Sequence, residues 1–141
     1  NDQAGDEEFE THYDLGVAYK EMGLIAEAIE EFQLAVRGPT RFVDTCAMIA
    51  ACYKDQNLNT SAIAFLERVL ADARCGGPGV PYVKYDLAVL YEDEGFADKA
   101  VRLYEDIPSI RDVEARLRRV QGNEEPTARP PAGTRRPVSY L

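Results

Sequence analysis

An internal repeat constrains this chain more than any other feature. Leu15-Gly16-Val17-Ala18-Tyr19 aligns with Ile49-Ala50-Ala51-Cys52-Tyr53 and with Leu87-Ala88-Val89-Leu90-Tyr91, and the tyrosines stand 34 and then 38 residues apart. Nine positions after each tyrosine comes Ala28, Ala62 or Ala100, and four further on comes Phe32, Leu66 or Tyr104. Three later stand Ala35, Val69 and Ile107. Self-similarity at this period means stacked copies of one supersecondary unit, since no single copy can bury its own apolar face.

Each copy reads as two amphipathic helices. Phe9, Tyr13, Leu15, Gly16 and Tyr19 fall near helical spacing, and Ile25, Ala28, Ile29, Phe32, Ala35 and Val36 form a second i, i+3, i+4, i+7 stripe. Four residues after each tyrosine stand Gly23, Asn57 and Gly95, residues that tolerate the left-handed backbone of a helix end before a tight turn. Small residues at Gly16, Ala50 and Ala88, facing Ala28, Ala62 and Ala100, let paired helices approach closely.

These positions resemble the tetratricopeptide repeat (TPR) family. Copy one matches its signature at Leu15, Gly16, Tyr19, Ala28, Phe32 and Ala35, copy two at Ile49, Ala50, Tyr53, Ala62 and Leu66, and copy three at Leu87, Ala88, Tyr91, Gly95, Ala100 and Tyr104. The family's aromatic at repeat position four is replaced by His12, Cys46 and Lys84, and its closing proline is displaced to Pro39 and Pro108. The resemblance implies an all-α fold: a right-handed superhelix of three TPR helix-turn-helix pairs plus a C-terminal capping helix.

The expected division is an acidic lead-in over 1–8, a TPR domain over 9–121 and a Pro/Arg-rich extended tail over 122–141. Within the domain, repeats span about 9–42, 43–76 and 81–108, with the cap at 109–121. Copy three starts late because Gly76-Gly77-Pro78-Gly79 lengthens the preceding loop. Ser109, with Asp112 three residues on, reads as a helix start, and Ile110, Val113, Leu117 and Val120 supply the apolar stripe that covers the last repeat.

Charge narrows the function. The 141 residues carry a net −9, which disfavours a nucleic-acid binder, and no apolar run reaches the roughly 18 residues of a membrane span. The acidity is uneven. Residues 1–110 hold 9 basic and 21 acidic side chains, a net −12, whereas 111–141 hold 7 and 4, a net +3. The first residue is Asn1 rather than Met, which suggests a processed product or a piece of something longer. Three cysteines without metal spacing read as a reduced, cytoplasmic protein.

Catalysis finds no support in these residues. The single histidine, His12, occupies a packing position, with no nucleophile or paired carboxylate to complete a triad. Cys46 and Cys52, six apart, are better as buried apolar residues than as ligands on one helix face. The acid clusters Glu27, Glu30 and Glu31, and Glu92, Asp93 and Glu94, read as solvated faces. No catalytic residue, metal or cofactor is expected.

The resemblance implies that first helices line a concave groove through positions two, five, nine, twelve and thirteen of each repeat. Those are Glu10, Tyr13, Val17, Lys20 and Glu21 in copy one, and Asp44, Ala47, Ala51, Lys54 and Asp55 in copy two. Copy three gives Tyr82, Tyr85, Val89, Glu92 and Asp93. The Lys/Asn clamp with which some family members grip a C-terminal carboxylate is not matched, because Tyr13 and Val17 stand where it needs Lys and Asn. The expected activity is non-catalytic: a protein–protein interaction scaffold that binds a peptide or helical segment of a partner, basic and apolar in character. The repeat style is similar to bacterial TPR proteins of multi-component machines. The tail, through Arg135, Arg136, Val138, Tyr140 and Leu141, is a candidate occupant of its own or a neighbour's groove, and Ser139 follows an Arg-Arg-x-x-Ser-like pattern. A regulatory or self-associating module of a larger multidomain protein or enzyme is the alternative reading.

Overall fold

The computed structural model describes residues 2–122. Among the described residues all regular structure is helical: α1 (Asp2–Glu21), α2 (Ile25–Ala35), α3 (Phe42–Asp55), α4 (Asn59–Ala71), α5 (Val80–Asp93), α6 (Ala97–Asp106) and α7 (Val113–Gly122). Helices α1/α2, α3/α4 and α5/α6 form the three repeat pairs, and the pairs stack in chain order into a superhelix closed by α7. The first helix takes in the acidic segment expected to be a lead-in. The capping helix begins at Val113 rather than at Ser109, because Arg111 has a left-handed backbone (φ 47°) that no continuous helix tolerates.

The turn inside each pair is built three times from the same bonds. Gly23, Asn57 and Gly95 have φ of 82°, 63° and 87°. Their N–H groups donate to the carbonyls of Lys20, Lys54 and Glu92, while the next residues, Leu24, Leu58 and Phe96, donate to Tyr19, Tyr53 and Tyr91. This is a Schellman closure, in which an apolar residue just past the helix folds back on the residue that accepts its bond. The carbonyls of Leu24, Leu58 and Phe96 then accept from Ala28, Ala62 and Ala100, so the exit from one helix starts the next.

The core follows the repeat positions. Ala28, Ala62 and Ala100 are wholly buried, as are Phe32, Leu66 and Tyr104. One apolar cluster joins α1–α3 through Ala28, Phe32, Ile49 and Cys52; a larger one runs from Phe42 to Val120. Tyr53 and Phe65 pack against both and link them. Gly16 shows why the small position is small: a Cβ there would sit 2.5 Å from the Phe32 ring.

One repeat position behaves differently at the N-terminal end. Ile49 and Leu87 are each 2% exposed, but Leu15, their equivalent, is 39% exposed. A solenoid helix buries that face against the preceding unit, and α1 has none among the described residues. At the other end Val113 and Val120 of α7 are buried and its outer residues are charged.

Candidate functional site

Helices α3, α5 and α7 enclose a concave cavity of about 330 Å³. Its floor is made by Ala50, Ala51, Leu66, Val89 and Leu90, and its rim by Lys54, Tyr85, Asp86, Arg111 and Arg116. The space exists because the middle repeat offers only methyl groups at 50 and 51, leaving the side of α5 uncovered. Of the groove residues expected from the sequence, the structure brings Ala51, Lys54, Tyr85 and Val89 together here.

The remaining expected residues lie elsewhere along the same face. Glu10 receives the Arg41 Nε at 2.9 Å, and the Arg41 guanidinium lies 4.6 Å from the Tyr13 ring centre, with Asp44 3.9 Å from the same group. Tyr13 also packs edge-on to Phe32, and Val17 joins that cluster. Lys20 pairs with Asp55 across the first two repeats at 3.2 Å. Ala47 is half-buried on α3, Glu21 and Asp93 are exposed, and Tyr82 is exposed beneath Arg111, 5.0 Å from its guanidinium. Much of the lining is therefore engaged in cross-repeat contacts.

Glu92 departs from both of its sequence readings, groove wall and solvated acid. It accepts a hydrogen bond from the Tyr104 hydroxyl at 2.7 Å and bonds from Arg116 and Arg119 at 3.1 Å each. Burial alone would raise its pKa; these donors more than offset that, and the carboxyl sits below its ordinary value. Tyr85 is likewise tied, donating to Asp112 at 2.6 Å and accepting from Arg116 at 3.2 Å. Burial, followed by the bond to Asp112, pushes its phenol upward. Two more expectations concern single residues. His12 Nδ1 lies 2.7 Å from Glu31 Oε1, joining α1 to α2, and burial lifts the Cys46 thiol to about 12.

Three rim residues, Asp86, Arg111 and Arg116, were not legible in the sequence as groove residues. Asp86 occupies a repeat position that the groove pattern skips, Arg111 comes from the turn before α7, and Arg116 reaches the cavity because α7 packs beside α5. The Asp86 side chain is 41% exposed at the cavity mouth, with Arg111 3.9 Å away. The protein around it disfavours its charge and raises its pKa, opposed by Arg111 and Lys54. Among the described residues no group of three His, Cys, Asp or Glu side chains could hold a metal ion. No helix among them is long and apolar enough to cross a membrane. The expected tail contacts of Arg135, Arg136, Val138, Tyr140 and Leu141, and Ser139, lie outside the described residues.

Residues 9–37 match the tetratricopeptide repeat family model. Comparison with curated proteins finds no match. Among solved structures, the chain is similar to one described as MamA, with 26% identity and a TM-score of 0.63 over 86% of this chain and 68% of that one. A second, described as MamA protein, also shows 26% identity, with a TM-score of 0.62 over 86% of this chain and 64% of its own length. Three turns of identical hydrogen bonding and a small-to-large packing pattern kept in every pair give the chain the fold of a tetratricopeptide-type repeat.

Proposed function

We propose that this domain is a non-catalytic interaction scaffold whose concave groove takes an extended or helical segment of a protein partner. One observation carries the reading: a cavity of about 330 Å³ with a small-residue floor and a charged rim opens on the face where the first helices of the repeats converge. An apolar side chain of the partner fits the floor of Ala51, Val89 and Leu90. Such an anchor, seated in a preformed pocket and ringed by polar groups, is the usual source of binding energy at an interface.

The rim chemistry refines what flanks that anchor. Lys54, Arg111 and Arg116 line the cavity against the single carboxylate of Asp86. Arg116 is already committed to Glu92 and Asp112, and Arg111 lies 3.9 Å from Asp86, which leaves Lys54 as the cation over the opening. A partner with an acceptor or carboxylate beside its apolar residue suits this rim better than a basic one. For the same reason Arg135 and Arg136 are ill-suited to this pocket.

Photo-crosslinking tests the reading. A benzophenone side chain at Val89 should capture the partner, and one at Leu34, exposed on α2, should not. Equal capture from both positions would overturn the groove assignment. A self-associating module is favoured by a separate observation, the exposure of Leu15 on α1 and of Met22 just past its end. Light scattering over a concentration series separates that reading, because a strict monomer eliminates it.

A further inference from the structure

The chain leaves the described fold at a defined place. Helix α7 runs parallel to α5, with Asp112 at Tyr85 and Arg119 at Glu92. Its last residues, Val120 and Gln121, share a shallow cavity with Ala97 and Asp98 at the start of α6. Residue 122 therefore follows side chains that sit against the start of α6, at the edge of the solenoid where the intra-pair turns lie, and not at the mouth of the groove.

That edge carries a ladder of apolar side chains. Leu24, Leu58 and Phe96 remain 39%, 44% and 49% exposed. They share one backbone conformation (φ −88°, −102° and −91°; ψ 72°, 60° and 66°), so the three present their side chains alike. Each donates its N–H to the carbonyl of Tyr19, Tyr53 or Tyr91, and the Phe96 ring packs edge-on to Tyr91. Exposed carboxylates flank the rungs at Glu21, Asp93 and Asp98; Asp55 is paired with Lys20, Glu94 accepts from Asn59, and Lys99 lies 5.5 Å from the Phe96 ring centre.

The sequence that follows has the matching chemistry. Residues 123–141 carry Arg129, Arg135 and Arg136 against Glu124 and Glu125, four prolines, and then Val138, Tyr140 and Leu141. We propose that this segment docks in cis along the turn edge, its arginines over the carboxylates and its apolar residues over the rungs, leaving the concave groove open. Reach is sufficient. At about 3.1 Å per residue the segment spans at most roughly 60 Å, whereas helices packing about 10 Å apart place the outer rungs within roughly 40 Å. Tethering supplies an effective concentration on the order of millimolar, so weak contacts suffice. The alternative berth, the groove pocket, sets Lys54 against the same arginines, and its one rim carboxylate, Asp86, already has Arg111 3.9 Å away.

The test uses the full chain and alters only the segment. Amide NMR spectra of the wild type and of Arg135→Glu/Arg136→Glu/Tyr140→Ser should differ at Gly23–Leu24, Asn57–Leu58 and Gly95–Phe96. Differences at Ala51, Lys54 and Val89 instead would put the segment in the groove and overturn the proposal. Differences confined to 123–141 would overturn it too, as would edge differences that grow with protein concentration, which mean a neighbouring molecule's segment. Reciprocally, Leu58→Ser should shift the amides of 135–141 while far-UV circular dichroism stays unchanged. Unshifted amides there would equally overturn it. Because the groove is untouched in every arm, partner capture at Val89 reads the two proposals independently.

Discussion

The Nη1 atom of Arg116 stands 3.1 Å from Oε1 of Glu92, joining the capping helix to the last helix that a groove ligand would meet. Both side chains are largely buried, at 23% and 18% exposure, and Tyr104 and Arg119 complete the cluster. Replacing Glu92 with Ala leaves Tyr104 and Arg116 without their shared acceptor. The expected loss is about 2 kcal/mol, read as a lower urea midpoint with an unchanged slope.

The same carboxylate sets an acid limit. Its folded-state pKa lies below the ordinary glutamate value of 4.5, so its contribution is complete above about pH 4.5. It is lost as pH falls through the depressed folded value. The urea midpoint of the wild type should drop on that acid limb more steeply than that of Glu92→Gln, which has no proton to take up. Parallel curves for the two proteins would show that Glu92 is not the titrating group.

Gly16→Ala should destabilise the first repeat. Alanine is the better helix former by about 1 kcal/mol, but its Cβ would lie 2.5–2.8 Å from three atoms of the buried Phe32 ring. Overpacking of this kind costs about 1–3 kcal/mol, so a net loss near 1 kcal/mol is expected in thermal unfolding. Copies two and three hold Ala50 and Ala88 at this position, with Leu66 and Tyr104 in place of Phe32. A Gly16→Ala/Phe32→Leu double variant should recover part of the loss.

The turns offer a matched pair. Asn57 and Gly95 occupy equivalent sites with φ of 63° and 87°. Asn57→Gly should change stability by a few tenths of a kcal/mol at most, since both residues tolerate the conformation. Gly95→Ala should cost about 1 kcal/mol, because a Cβ in the left-handed region meets its own backbone. No neighbour lies within 4 Å of that Cβ, so the loss measures backbone strain alone.

Ala51→Leu fills the concave cavity. A larger side chain at this half-buried place should leave the melting temperature nearly unchanged and weaken partner binding at least tenfold, equivalent to about 1.4 kcal/mol. Isothermal titration with the captured partner measures it. Binding that survives the substitution would move the interface away from α3 and α5.

The spacing of tyrosine, alanine and the large apolar residue was enough, by itself, to establish three helix pairs; the apolar stripe after Ser109 gave the cap, and the family resemblance implied the all-α superhelix. It works because backbone closure and core packing repeat locally: Gly23, Asn57 and Gly95 end helices for reasons contained within six residues, and Gly16 packs against Phe32 inside one unit. The family resemblance, not the periodicity, implied that Ala51, Lys54, Tyr85 and Val89 share the groove face. What only the tertiary structure decided depends on elements distant in the chain. Leu15 lost its burial because no preceding unit covers α1 among the described residues. Glu92 left the groove for a network because α7 lies parallel to α5. Asp86 and Arg111 became the cavity's rim because the turn before α7 comes beside α5. Helical periodicity reports which face a residue occupies, but what comes to stand opposite that face is set by how the helices stack.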